Sequence, residues 1–191
     1  MDTITYIKKA LYFAAEKHDG QYRKGTRVPY IVHPVLVALA VKRYTDDEEI
    51  FIAALLHDVL EDSSDVSPEL LQEEFGYRVA RIVAEVSHPR EKKYSSWKEK
   101  KEMYLDRIKS ASLDALIVVG ADKMVNMQAY FDAFKKDGGE HVIAKHFNAT
   151  SAEYFWYYDA VGDILDTMLH DGVLAREYRE LLDGYRKTCE R

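Results

Sequence analysis

Four ionisable side chains fall within six residues of this sequence: His57, Asp58, Glu61 and Asp62 in the run HDVLED. The apolar residues ahead of and between them, Ile50, Phe51, Ile52, Ala53, Ala54, Leu55, Leu56, Val59 and Leu60, point in every direction around a helix axis. A helix of that composition belongs in the interior. On one unbroken helix the four polar groups share an arc of about 140°. Desolvating several carboxylates together is very costly unless a cationic side chain or a bound metal ion meets them. Adjacent His57 and Asp58 can both reach one ion, and Glu61 and Asp62, a turn later, can face a water beside it. The plainer alternative is a frayed helix end, with Asp62, Ser63, Ser64 and Asp65 leading into solvent.

Two ligands make a weak site, and the chain offers two more: His33, just before Pro34, and Asp122, in a window otherwise apolar through Val118, Val119, Ala121, Met124 and Val125. Each alone has an ordinary reading, a cap or packed histidine and a salt-bridged aspartate. The remaining histidines, His18, His88, His141, His146 and His170, lack the paired HExxH spacing and read as core or surface residues. The aromatic run Tyr154 to Tyr158 reads as core packing. Cys189 is the single cysteine, so it forms no intrachain disulfide or cysteine cluster, and no neighbouring histidine activates it.

The elements that must position these residues are helices. Apolar spacing of three and four recurs in Ile4, Ile7, Leu11, Ala14 and Ala15, then in Val35, Leu39 and Ala40, and again from Ile50 to Leu60. Further helical windows run from about Gly76 to Val86, Ser96 to Lys109, Asp114 to Phe134, Ser151 to Leu169 and Leu174 to Arg186. Pro34 and Pro68 suit first helical turns, and Asp46 and Ser67 suit caps. Leu116 to Val119 could be a short strand but continues into a helical pattern, so the expectation is an all-α bundle. With 191 residues, 47% hydrophobic and 31% charged, and with only 9 Gly and 4 Pro, the chain reads as one folded domain over 1–191 with no linker. No apolar run approaches a membrane span and no secretory signal is present, which suggests a cytoplasmic protein. A net charge of -6 argues against broad nucleic-acid binding. The local exception lies between His88 and Glu102, where Arg90, Lys92, Lys93, Lys98, Lys100 and Lys101 outnumber the acids.

The series His33, His57-Asp58, Asp122 resembles the ligand pattern of HD-domain metal-dependent phosphohydrolases. HDVLED looks like the HDxxED signature of the RelA/SpoT-type hydrolase domains and small alarmone hydrolases, an acidic pair that generic HD phosphodiesterases lack. GQYRKGTRVPYIVHP, Gly20 to Pro34, is similar to the family's GQxRKGTxxPYxxHP segment. EEFGYRVARIVAEVS, Glu73 to Ser87, resembles the helix after the signature. WKEKKEMYL from Trp97, FNA from Phe147 and WYY from Trp156 resemble later landmarks of single-domain members. The likeness implies an HD-type helical bundle whose central buried helix carries HDxxED, one divalent ion, usually Mn²⁺, and removal of pyrophosphate from the 3′ position of ppGpp or pppGpp. Carried over by position, His33, His57, Asp58 and Asp122 would hold the metal, Glu61 and Asp62 would be the acid/base pair, Arg23 and Lys24 would meet the base or phosphates, and Asn126 would meet the ribose. The chain departs from the family at VGADKMVN, where Val119 and Val125 replace polar residues and Gln128 stands near a common arginine.

Two imidazoles and two carboxylates make a mixed donor set suited to Mn²⁺, Fe²⁺, Co²⁺ or Zn²⁺, and spacing does not choose among these. Such an ion would acidify a water toward neutral pH and polarise a phosphoryl oxygen. Glu61 or Asp62 would take the water's proton, and two close carboxylates split their pKa values so that one can hold a proton for the leaving oxygen. Residue type leaves their order open. Arg23, Lys24 and the Arg90 to Lys101 segment are the cations available to a small anionic nucleotide. An HD phosphatase or phosphodiesterase for another phosphorylated nucleotide or cofactor is the nearest alternative, and a silent metal-binding regulatory module is the next. The sequence does not report an oligomeric state.

Overall fold

A computed structural model describes residues 2–88, 94–137, 150–170 and 172–189. The helices run α1 Thr3–Lys17, α2 Val32–Val41, α3 Glu48–Leu56, α4 Val59–Asp62, α5 Pro68–Val86, α6 Trp97–Ile108, α7 Leu113–Asp137, α8 Ser151–Leu169 and α9 Val173–Cys189. Among the described residues there is no strand, only an isolated bridge between Tyr22 and Pro29, and the fold is all-α. The run Leu116 to Val119 lies inside α7, with Leu116, Val118 and Val119 buried. None of the described helices is long and apolar enough to cross a membrane. Arg90, Lys92, Lys93, His141, His146 and Phe147 to Ala149 lie outside the described residues.

Packing divides the chain into two compact units, Met1–Lys92 with Ala111–Ala121, and Lys93–Ser110 with Asp122–Arg191. In the first, α3 is the centre: α1, α2 and α5 all pack on it. Ile50, Ile52, Ala53, Ala54, Leu55 and Leu56 are buried around its whole circumference, which is what an all-apolar helix requires. Asp47 caps α3, its carboxylate accepting from the Glu49 and Ile50 amides. The sequence expectation of Asp46 is off by one, because Asp46 pairs with Lys42 at 2.7 Å while Arg78 binds Asp47, Glu49 and Asp114 together. Ser67 caps α5 as expected, with Pro68 in the first turn.

The helix read from Ile50 to Leu60 breaks where the chemistry sits. α3 ends at Leu56 and α4 starts at Val59, with Asp58 at φ -98°, ψ -9° between them. The freed backbone groups are taken by side chains: His57 Nδ1 bonds the Ala54 carbonyl at 2.8 Å, and the Ser87 hydroxyl donates to the His57 carbonyl at 3.2 Å. The single-arc geometry expected of an unbroken helix therefore does not apply.

In the second unit α8 packs on α6 and on α9. Thr150 and Glu153 form a reciprocal capping box at the start of α8. Tyr154, Tyr157 and Tyr158 are buried, so the aromatic run is core, as its position on a helix suggests. Arg179 of α9 crosses Gly162 of α8 and binds Asp163 and Asp166. A Cβ at position 162 would lie 2.5 Å from the guanidinium carbon, so the absence of a side chain there is what admits the arginine.

Candidate metal centre

Three of the four expected ligands meet in the first unit. His33, Nε2 forward, comes from the first turn of α2, and His57 and Asp58 come from the α3–α4 break; their donor atoms all lie within 4.8 Å of one another. Asp58 Oδ2 is 3.1 Å from His57 Nε2 and 3.5 Å from His33 Nε2. Both imidazoles are buried, at 4% and 3% exposure, while Asp58 is partly open. With its Nδ1 donating to the Ala54 carbonyl, His57 carries its lone pair on Nε2, which faces Asp58. Two imidazole nitrogens and a carboxylate oxygen at this spacing fit a divalent cation.

Glu61 and Asp62 follow on the single turn of α4. Glu61 Oε1 accepts the His88 backbone N–H at 2.7 Å, which fixes the carboxylate. Asp62 Oδ2 lies 3.8 Å from Nδ1 of His18. Burial lowers the His18 pKa below 6.5, against the opposing pull of Gln21 and Asp58. His18 is accordingly a neutral ring and its Nδ1 bonds Gln21 Oε1 at 2.9 Å.

Tyr30 is the residue at this site that the sequence offered without a role. Its hydroxyl donates to Asp58 Oδ2 at 2.7 Å. Burial, and then the neighbouring Asp58 charge, push its pKa well above the ordinary phenol value, so it remains a donor. The ring touches His18 and His33, and the Arg23 guanidinium stands 5.6 Å above it. Lys24 is exposed on the same turn. His18 is a core histidine, one of the two readings expected of it, and its ring packs against Tyr30. The available signal was proximity in sequence: His18 and Tyr30 bracket the Gln21 to Lys24 segment and lie within the stretch leading to His33.

Asp122 belongs to the second unit, 7% exposed on α7. Lys123 Nζ donates to its Oδ2 and Asn126 Nδ2 to its Oδ1. Burial opposes the Lys123 charge, but Asp122 outweighs it and holds the ammonium well above the ordinary lysine pKa. Gln128 is held by the Tyr185 hydroxyl at 2.6 Å and donates to Asp132.

A model of the HD domain family matches residues 10–152. Over 113 residues the chain is 43% identical to a guanosine-3′,5′-bis(diphosphate) 3′-pyrophosphohydrolase of Aquifex aeolicus, which covers 59% of this chain and 16% of that protein. The chain thus spans about a sixth of the length of that relative. Over 148 residues it is 33% identical to the 3′-pyrophosphohydrolase MESH1 of Xenopus tropicalis, covering 76% of this chain and 80% of MESH1. Among solved structures, that described as "A metazoan ortholog of SpoT hydrolyzes ppGpp and plays a role in starvation responses" superposes with a TM-score of 0.74 at 27% identity, over 94% of each chain.

Proposed function

The chain belongs to the HD-domain family, in the group that includes the metazoan SpoT-type hydrolases, and from that premise we propose that it is a metal-dependent hydrolase removing pyrophosphate from the 3′ position of guanosine 3′,5′-bis(diphosphate). The observation that carries this reading is the convergence of His33, His57 and Asp58 donor atoms within 4.8 Å, on the chain just ahead of the Glu61 and Asp62 carboxylates. Asp122 is the fourth ligand in this proposal, from its place in the family pattern, and Mn²⁺ is the ion. When bound, the ion supplies Lewis acidity toward a phosphoryl oxygen and lowers the pKa of a water.

The chain's own residues do the positioning and proton work. Glu61, held by the His88 amide, and Asp62 orient the attacking water and accept its proton. The water oxygen bonds the phosphorus attached to the ribose 3′ oxygen, the P–O3′ bond breaks, and that oxygen takes a proton. The products are GDP and pyrophosphate. The carboxyl of the pair that does not accept the water's proton delivers one to the leaving oxygen. Arg23 and Lys24 meet the base or phosphates, and Asn126 the ribose. The same reading makes this a cytoplasmic enzyme of a small anionic nucleotide.

Turnover of a panel of phosphorylated nucleotides with Mn²⁺ tests the proposal, and pyrophosphate with GDP is the expected yield from ppGpp. Orthophosphate from the preferred compound would reassign the chain to a different HD phosphatase activity. Metal binding without any turnover would make it a silent module. Asp62→Asn is expected to lower turnover by about 100-fold or more, the range of a lost general acid or base, with metal content unchanged.

A further inference from the structure

Asp58 occupies the position before α4 where an aspartate ordinarily accepts a hydrogen bond from the amides of the next turn, yet its side chain makes no capping bond. The carboxylate is instead turned so that one oxygen, Oδ2, faces both His57 Nε2 and His33 Nε2 and also receives the Tyr30 hydroxyl at 2.7 Å. A carboxylate oxygen offers two lone pairs. The phenol occupies one of them, on the same oxygen that faces the two imidazoles.

Tyr30 is itself held on every side. Its amide donates to the Gln21 carbonyl at 2.9 Å, and its carbonyl accepts from the His33 amide at 2.9 Å. Its ring lies 4.9 Å from that of His18 and 5.7 Å from that of His33. A side chain pinned by two backbone bonds and two rings can impose an orientation on its partner; a loosely held one could not.

Resting on the metal reading above, we infer that Tyr30 is a positioning residue for the metal: its hydroxyl sets the Asp58 carboxylate in the orientation that ligates the ion. Its ring, under Arg23, is a separate surface serving the nucleotide. The two roles divide between the hydroxyl and the ring, and so can be tested apart.

The test is Mn²⁺ titration of the chelator-stripped full chain, followed calorimetrically in the absence of substrate. Tyr30→Phe keeps the ring and removes the hydroxyl, and is expected to raise the Mn²⁺ dissociation constant by about 10- to 100-fold, the usual effect of losing a group that orients a ligand. At saturating Mn²⁺ its KM for ppGpp should stay within about twofold of wild type. Arg23→Ala should do the reverse, raising KM with metal affinity unchanged. Tyr30→4-aminophenylalanine, which restores an N–H donor, should return the constant toward wild type, and it also carries the test if the phenylalanine variant folds poorly. A Tyr30→Phe protein that binds Mn²⁺ as tightly as wild type, or more tightly, overturns the inference, because the phenol would then only compensate a carboxylate without its ion. Absence of Mn²⁺ binding by wild type would instead strike the metal reading itself.

Discussion

His18 shows how much a buried neutral residue can tell at the scale of one side chain. In the unfolded chain its imidazole titrates near 6.5; in the folded chain burial keeps the pKa lower. Between those two values the unfolded state binds more protons than the native state, so stability rises with pH there. The contribution is complete above 6.5 and is lost as the pH falls through the window below it. Denaturant midpoints of the metal-free protein at pH 7.5 and 5 should therefore fall more for wild type than for His18→Gln, and parallel declines would count against a depressed His18. Tyr30 and His18 are ordinary residue types at ordinary positions. They gain a role because the chain folds them against Asp58 and Asp62.

At the scale of the element, breaks matter as much as helices. Gly76 interrupts α5 at φ 83°, ψ 164°, a backbone region that essentially only glycine occupies, and a Cβ there would meet nothing within 4 Å. Gly76→Ala is expected to cost about 1–3 kcal/mol through the backbone alone. Gly184 is the contrasting case: it lies inside α9, also with nothing within 4 Å of a Cβ, so Gly184→Ala should add about 0.5–1 kcal/mol. Urea midpoints of the two variants should move in opposite directions. The interruption between α3 and α4 was not legible in HDVLED, because the residues are helix-compatible in sequence. Ser87, which takes up the His57 carbonyl, reaches the break through tertiary packing, while the His57 ring turns back on Ala54 within its own turn.

At the scale of the whole molecule, the proposed function requires a chain of net charge -6 to capture an anionic nucleotide with local cations. Above about 0.1 M salt the Debye length is near 10 Å or less, so the long-range repulsion is already screened and added salt mainly weakens the close pairs at Arg23 and Lys24. KM for ppGpp should rise between 0.1 and 0.5 M NaCl with kcat steady, and the double variant Arg23→Ala, Lys24→Ala should flatten that rise. A KM independent of salt would remove these two residues from phosphate binding.

The helical class, the buried centre at Ile50 to Leu56 and the cluster of candidate donor residues from His57 to Asp62 were legible along the chain alone, because apolar periodicity and clustered ionisable residues are local patterns with strong energetic consequences. His33 was legible as a candidate from its place before Pro34. That its Nε2 meets His57 and Asp58, and that Tyr30 bonds Asp58 across an interval of 28 residues, emerges once the chain is folded. The physical reason is that orientation of a carboxylate depends on partners brought together by packing, and packing between distant segments leaves no periodic trace in the chain.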